Sequence, residues 1–238
     1  MNIIITGASK GMGRAIADKF ASRGHNLILC ARNEVQLYTT MQELLNRFPG
    51  ITVKAKPVDL SDKSQAKDFG GWVLSEIEKL PGGTVDVLVN NAGRFLPGSV
   101  HNEEEGVFEK MIEVNVSSAY HLTRVILPKM MSQKKGHIFN ICSIAALNAY
   151  ANGGSYSISK FALLGFSRNL REEMKPHGIK VTAVMPGAVY TDSWSGSNVQ
   201  PARIMESADI AELIFSCSQL SPQAVVEDLV IRPQLGDL

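Results

Sequence analysis

Short apolar runs separated by longer amphipathic segments recur from one end of the chain to the other, and this alternation constrains the fold more than any other feature. The runs Asn2–Thr6, Asn26–Ala31, Ile51–Val58, Val85–Asn90, Gly136–Cys142, Lys180–Met185 and Asp228–Arg232 read as strands. Several are near-continuous Ile, Leu and Val, the composition of strands covered on both faces. Helical spacing fills the intervals. Met12, Ile16 and Phe20 recur every four residues ahead of Gly24, which reads as a helix-ending glycine. Tyr38, Met41, Leu45 and Phe48 form a second stripe, and Phe69, Val73, Ile77 and Leu80 a third, weakened by Gly70-Gly71. A strand–helix–strand rhythm repeated this often implies right-handed crossovers. The expected fold is therefore α/β, a doubly wound parallel sheet of about seven strands with helices on both faces. The acidic run Glu103-Glu104-Glu105 is expected to start a helix, where carboxylates meet the positive end of the dipole.

Composition narrows the function classes. With 238 residues, 45% hydrophobic and 20% charged, the chain can bury a large core without disulfides or metals, and neither disorder nor a fibrous repeat fits. No linker or repeat divides it, so one domain over 1–238 is expected. Lys and Arg number 24 against 23 Asp and Glu, so no basic excess points to nucleic acid or an anionic membrane. Cys30, Cys142 and Cys217 are widely spaced, which suits reduced thiols and disfavours a disulfide framework or a zinc site. The first residues lack the basic start and long apolar stretch of a signal peptide. The longest uncharged stretch, 138–159, is too rich in Asn, Gly and Ser to span a bilayer. A cytoplasmic location is expected.

The first strand runs directly into Thr6-Gly7-Ala8-Ser9-Lys10-Gly11-Met12-Gly13, and a helix follows. Glycines let the backbone turn sharply and approach a ligand closely, while helix N-terminal N–H groups face an anion, so the segment reads as a phosphate cradle. The spacing is GxxxGxG, which a plain glycine turn can also carry. At the end of the second strand stands Arg32, where an acidic residue would hold a ribose 2′-hydroxyl and an Arg accommodates a 2′-phosphate. Lys10 adds a second cation. The pair favours NADP(H) over NAD(H), unless both are solvated surface charges. Asp59, closing the third strand, has two readings: acceptor for an adenine amino group, or cap of the next helix.

Tyr156 and Lys160 stand four apart, which puts them on one helix face. An ammonium beside a phenol, together with the positive nicotinamide of an oxidised cofactor, would pull the phenol toward a neutral pKa and suit it to proton transfer. Ser143 lies just beyond the apolar strand Ile138–Cys142, at the strand end where open α/β sheets bind ligands. Asn115 is a polar residue among apolar neighbours in a long helical stretch. Asn90-Asn91-Ala92-Gly93 ends the fourth strand and Pro186-Gly187-Ala188-Val189-Tyr190-Thr191 the sixth.

Taken in order, TGASKGMG, NNAG, Asn115, Ser143, Tyr156-x-x-x-Lys160 and PGAVYT resemble the short-chain dehydrogenase/reductase family over nearly the whole chain. The resemblance implies a Rossmann-type fold with a glycine-rich cofactor half, 1–93, and a catalytic and substrate half, 94–238. It implies that Tyr156 protonates the substrate oxygen as hydride arrives and that Ser143 polarises the carbonyl. Lys160 would bind the nicotinamide ribose and acidify Tyr156, and Asn115 would hold a proton-passing water. Asn91, Ala92 and Gly93 would line the adenosine side, Val189 and Thr191 would fix the nicotinamide carboxamide, and Pro186 and Gly187 would be further cofactor contacts. The chemistry expected is NADP-dependent oxidoreduction between C–OH and C=O, with no metal.

Membership names no substrate. Residues Thr191–Ala208, which include Trp194, Gly196 and Pro201, are expected to form a short lid over a compact ligand; Trp194 is read equally as a stacking or a packing residue. Members that act on acyl-carrier-protein substrates carry basic residues where this chain has Pro128 and Glu172, although Lys129, Lys134, Lys135 and Arg171 are close by. The ending Val225–Leu238 lacks their Gly-Gly pair and resembles bacterial sepiapterin-reductase-like members, with Asp237 read either as a pterin contact or as solvated. A small ketone or dicarbonyl is the expected substrate, with 3-oxoacyl reduction as the alternative. A non-catalytic NADP(H)-binding regulator would not need Ser143, Asn115, Tyr156 and Lys160 together, and a methyltransferase would not need YxxxK. The helices expected at Glu104–Met131 and Tyr156–Lys175 carry apolar residues on more than one face, which suggests a homodimer or homotetramer.

Overall fold

The computed structural model describes residues 1–191 and 199–237. Seven strands form one parallel sheet: β1 Asn2–Thr6, β2 Asn26–Ala31, β3 Val53–Pro57, β4 Val87–Asn90, β5 Gly136–Ile141, β6 Ile179–Pro186 and β7 Asp228–Ile231. Their order is β3-β2-β1-β4-β5-β6-β7, so the direction of winding reverses between β1 and β4. Every residue of β1 and of β5 is buried, as strands covered on both sides must be. Alternate side chains enter opposite layers. Ile3, Ile5, Leu27 and Leu29 join one core with Ile16 and Phe20 of α1 (Gly11–Ala21), Leu37 and Leu44 of α2 (Glu34–Arg47), and Ile210 and Ile214 of α7 (Ser207–Ser218). Ile4 and Ile28 join the other core. Phe69 and Val73 of α3 (Lys63–Ile77), Leu122 and Ile126 of α5 (Ser118–Gln133), and Leu170 of α6 (Gly154–Met174) pack there.

The strands follow the apolar runs, with ends of β3, β4, β5 and β7 trimmed by one or two residues and β6 one residue longer at each end. The glycine in the third helical stripe has a packing reason: a Cβ on Gly70 would lie 2.7 Å from Val125 Cγ1, so α3 and α5 meet there at close range. The second stripe is displaced. Its buried centre is Leu37, Thr40 and Leu44, while Tyr38 is exposed, because the sheet-facing side of α2 lies one residue earlier than the aromatic spacing implies.

The helix expected over Glu104–Met131 is three pieces: α4 (Val107–Ile112), a π-helical turn Glu113–Ser117, and α5, which carries Pro128 in its interior. The acidic run does not start it. Gly106, in the left-handed conformation, is the cap of α4, and Glu103 turns away to another helix. Asp62, not Asp59, caps α3, accepting from the Ser64 and Gln65 N–H groups. Trp194 and Gly196 lie outside the described residues. Among the described residues no helix is long and apolar enough to cross a membrane, no cluster could hold a metal ion, and the three cysteines are free and buried.

Candidate active site

Because all seven strands run the same way, their carboxyl ends fall along one edge of the sheet, and a cavity of about 760 Å³ opens there. Each strand from β1 to β7 except β3 delivers residues into it. Lys10, Gly11 and Met12 follow β1, Arg32 follows β2, and Asn91 and Gly93 follow β4. Ser143 follows β5, and Pro186, Gly187, Val189 and Thr191 come from the end of β6. Tyr156 and Lys160 enter from α6.

The glycine turn is shaped by close backbone approach. Gly7 has φ +64°, and a Cβ on it would lie 3.0 Å from Asn91 Nδ2; a Cβ on Gly13 would land on the Gly7 carbonyl and 2.5 Å from the same amide. Asn91 Nδ2 donates to the Thr6 and Gly7 carbonyls at 2.9 and 3.1 Å, and Thr6 Oγ1 accepts from the Asn91 and Ala92 N–H groups, each at 2.9 Å. Asn91 therefore ties the fourth strand end to the turn as well as facing the cavity. A Cβ on Gly11 would come within 3.3 Å of Thr191 Cγ2, so this glycine keeps the passage between the turn and the sixth strand end open. A cradle of glycines that side chains would fill, with exposed Lys10 inside the turn and exposed Arg32 one strand away, fits a dinucleotide. Gly7, Gly13 and Ala92 build this wall without lining the cavity. The Ser9 carbonyl is taken up by Thr40 Oγ1 at 3.2 Å. Asp59 also lies off the cavity lining, its Oδ1 accepting from the Ser61 N–H and hydroxyl at 3.0 and 2.7 Å.

On the opposite wall three side chains converge. Ser143 caps a short 3-10 turn, Ile144–Ala146, its Oγ accepting from the Ala145 N–H at 3.1 Å, and it lies close enough to the Tyr156 phenol to pull its pKa down. Lys160 Nζ donates to the Ile141 carbonyl at 2.9 Å and lies 5.7 Å from the Tyr156 ring centre. Burial pushes the Tyr156 phenol up to about 12, opposed by the nearby Ser143 hydroxyl, and pushes the Lys160 ammonium down to about 8. From the protein's own groups the phenol thus moves away from neutrality, contrary to the pull expected of the ammonium, because desolvation is the largest influence on it. Lys160 stays largely protonated at neutral pH. Two hydroxyls facing one point, with a cation behind them, can hold and protonate a carbonyl oxygen.

Asn115 sits in the π-helical turn, buried, rather than in a regular helix. Its Nδ2 donates to the Arg94 carbonyl at 3.0 Å and to Ser159 Oγ at 2.9 Å, and its Oδ1 accepts from the Arg94 N–H at 2.7 Å. A Cβ on Gly93 would lie 3.1 Å from Asn115 Oδ1 and 3.6 Å from Lys160 Nζ, so the fourth strand end reaches the wall that carries Lys160 only because that residue is glycine. Several lining residues escaped the sequence reading. Arg94 and Phe95 follow NNAG, and Phe95 packs edge-on against Tyr156 with ring centres 4.8 Å apart. Tyr150 and Arg232 also face the cavity, and Arg232 pairs with Asp237 at 2.5 Å. Asp237 is therefore an ion-pair partner on the cavity wall. The position of Phe95 two residues after the strand-end glycine Gly93 was the available signal.

The sequence profile of the short chain dehydrogenase family matches residues 1–201, and the chain belongs to that family. It is accordingly an oxidoreductase acting between CH–OH and C=O groups with a nicotinamide dinucleotide. An uncharacterized oxidoreductase of Staphylococcus aureus (strain USA300) is 28% identical over 230 residues, covering 97% of this chain and 96% of the relative. The alcohol dehydrogenase of the archaeon Thermococcus sibiricus, complexed with 5-hydroxy-NADP, superposes with a TM-score of 0.89 at 28% identity, over 98% of this chain and 96% of that one. A metagenomic short-chain oxidoreductase in complex with NADP superposes with a TM-score of 0.84 at 31% identity, over 98% and 97%.

Proposed function

We propose that the protein reduces a small ketone or dicarbonyl with NADPH, in the manner of sepiapterin-reductase-like members of its family. The observation that carries this reading is the convergence of Ser143, Tyr156 and Lys160 on the wall of a cavity whose far end holds Lys10 and Arg32. The bound nicotinamide supplies the hydride. Tyr156 gives its proton to the substrate oxygen, and takes one in the reverse direction. Ser143 hydrogen-bonds the same oxygen and holds it in line. Lys160 holds the ribose hydroxyls and lends its charge to the phenolate. Asn115 Oδ1 keeps one acceptor site for a relay water beyond the Arg94 N–H it already serves. The glycine turn with Ser9, Lys10 and Met12, the 91–93 strand end, Asp59 near the adenine, and Pro186, Gly187, Val189 and Thr191 complete the cofactor contacts. Lys10 and Arg32 are the residues that select the 2′-phosphate.

A 3-oxoacyl reductase is the alternative, and the surface charges give it less support. Glu172 is paired with Lys175, Arg171 with Glu227 at 2.9 Å, and Lys135 with Asp86 at 3.6 Å, so the cations nearest Pro128 and Glu172 are partly committed to the chain's own carboxylates. The test is a panel of diketones, quinones, pterins and ketoacyl thioesters, each with NADPH and NADH, on wild type and Arg32→Ala. Turnover of a compact dicarbonyl or pterin, with NADPH weakened far more than NADH in the variant, is the expected result. Faster turnover of thioesters would transfer the assignment to the alternative. Equal losses for both cofactors would remove the role of Arg32.

A further inference from the structure

We propose that Glu103 is a positioning residue: it fixes the N-terminus of α6, and with it the Tyr156 phenol, from a loop 52 residues earlier in the chain. The first N–H groups of a helix have no acceptor within the helix and are normally served by the side chain of the capping residue. Here the cap is Gly153, which has no side chain to offer. Glu103 serves instead. Its Oε1 accepts from the Ser155 N–H at 2.8 Å, and its Oε2 accepts from the Ser155 hydroxyl. Both bonds fall on the residue immediately before Tyr156.

The slot is shaped for that carboxylate. A Cβ on Gly154 would fall on Glu103 Oε1 and 2.5 Å from the Gly98 carbonyl oxygen, and a Cβ on Gly98 would lie 2.7 Å from Glu103 Cγ. Two more bonds join the same segments: the Gly98 N–H donates to the Asn152 carbonyl at 3.1 Å, and Ser99 Oγ donates to Asn152 Oδ1 at 2.9 Å. This loop starts at the residues that follow NNAG, and its Phe95 ring stands edge-on to Tyr156. The loop therefore holds Tyr156 twice, by the backbone before it through Glu103 and by its ring through Phe95. A carboxylate is also the charge that a helix N-terminus favours.

The catalytic part of this inference rests on Tyr156 being the proton donor of the proposed reaction; the capping part does not. The experiment compares Glu103→Ala and Glu103→Gln with wild type, using NADPH and 2,3-butanedione as the probe and counting sites by NADPH binding. In the Ala variant kcat per NADPH-binding site is expected to fall roughly tenfold or more, with the NADPH Kd within about twofold, since a small displacement of a catalytic group costs rate steeply. The Gln variant keeps an acceptor oxygen and is expected to recover most of the rate. A purely structural role would lower the number of binding sites and leave the rate per site unchanged. Backbone hydrogen exchange over residues 150–160 is read in parallel and is expected to quicken in the Ala variant, with β1 and β5 unaffected. An unchanged rate per site, a Gln variant as poor as Ala, or unaltered exchange overturns the proposal. If wild type turns over no carbonyl at all, the proposed function fails by itself and the exchange measurement alone decides the role of Glu103.

Discussion

At Tyr156 and Lys160 the same burial acts on two protons in opposite directions. It raises the phenol to about 12 and lowers the ammonium to about 8. For Lys160 the consequence for stability can be worked out. The folded state releases its proton near pH 8 while the unfolded chain holds it until about pH 10.5, so between those values the unfolded state binds more protons and stability rises with pH. Urea unfolding at about pH 7.5 and 9.5 should therefore show wild type gaining on Lys160→Met by up to about 2 kcal/mol; a flat difference would mean the ammonium is less desolvated than its surroundings indicate. At this scale the proposed catalytic trio was legible in the chain, because helical spacing and a strand end locate Ser143, Tyr156 and Lys160 without tertiary information. Glu103 and Arg94 were not. Glu103 reads as the start of a nearby helix, and only the folded chain brings it to Ser155.

Among the elements, strands covered on both faces announce themselves, since continuous Ile, Leu and Val have no other ordinary place. The broken helix does not. The π-helical turn at Glu113–Ser117 carries Asn115, whose amide meets Arg94 and Ser159 at once, and apolar periodicity carries no trace of that arrangement. Aspartates near a helix start are similarly ambiguous: Asp59 and Asp62 are three apart, and only the backbone geometry shows that the second is the cap. The glycine turn offers a sharp test of element-level packing. Gly13→Ala would press a methyl onto the Gly7 carbonyl and the Asn91 amide. It should cost about 1–3 kcal/mol of stability and weaken dinucleotide binding in the same protein, as read by thermal unfolding and NADPH titration. Retention of both would show that the turn and the 91–93 strand end yield independently.

On the scale of the whole molecule, the sheet gathers residues from six strand ends into one cavity, and helices α5 and α6 leave apolar surface uncovered. Ile158 and Phe161 on α6 are 42% and 45% exposed, and Tyr120 on α5, 39% exposed, packs against Phe166 of the same layer. Burying that face against a second copy would account for it, and the prediction is a homodimer or homotetramer. Sedimentation should give a multiple of 25.9 kDa that Phe161→Glu lowers; a 25.9 kDa particle for wild type would refute it.

In the proposed reaction Tyr156 hands a proton to the oxygen of a carbonyl whose carbon receives hydride. The most direct measurement follows the label: wild type and Tyr156→Phe are each given NADPH deuterated on the transferring face, together with 2,3-butanedione, and the product is examined for deuterium on the new carbinol carbon. Deuterated hydroxyketone from wild type is expected. The variant should bind NADPH within about twofold yet transfer label roughly a thousandfold more slowly or worse. Label transfer by the variant at a rate near wild type would contradict the account.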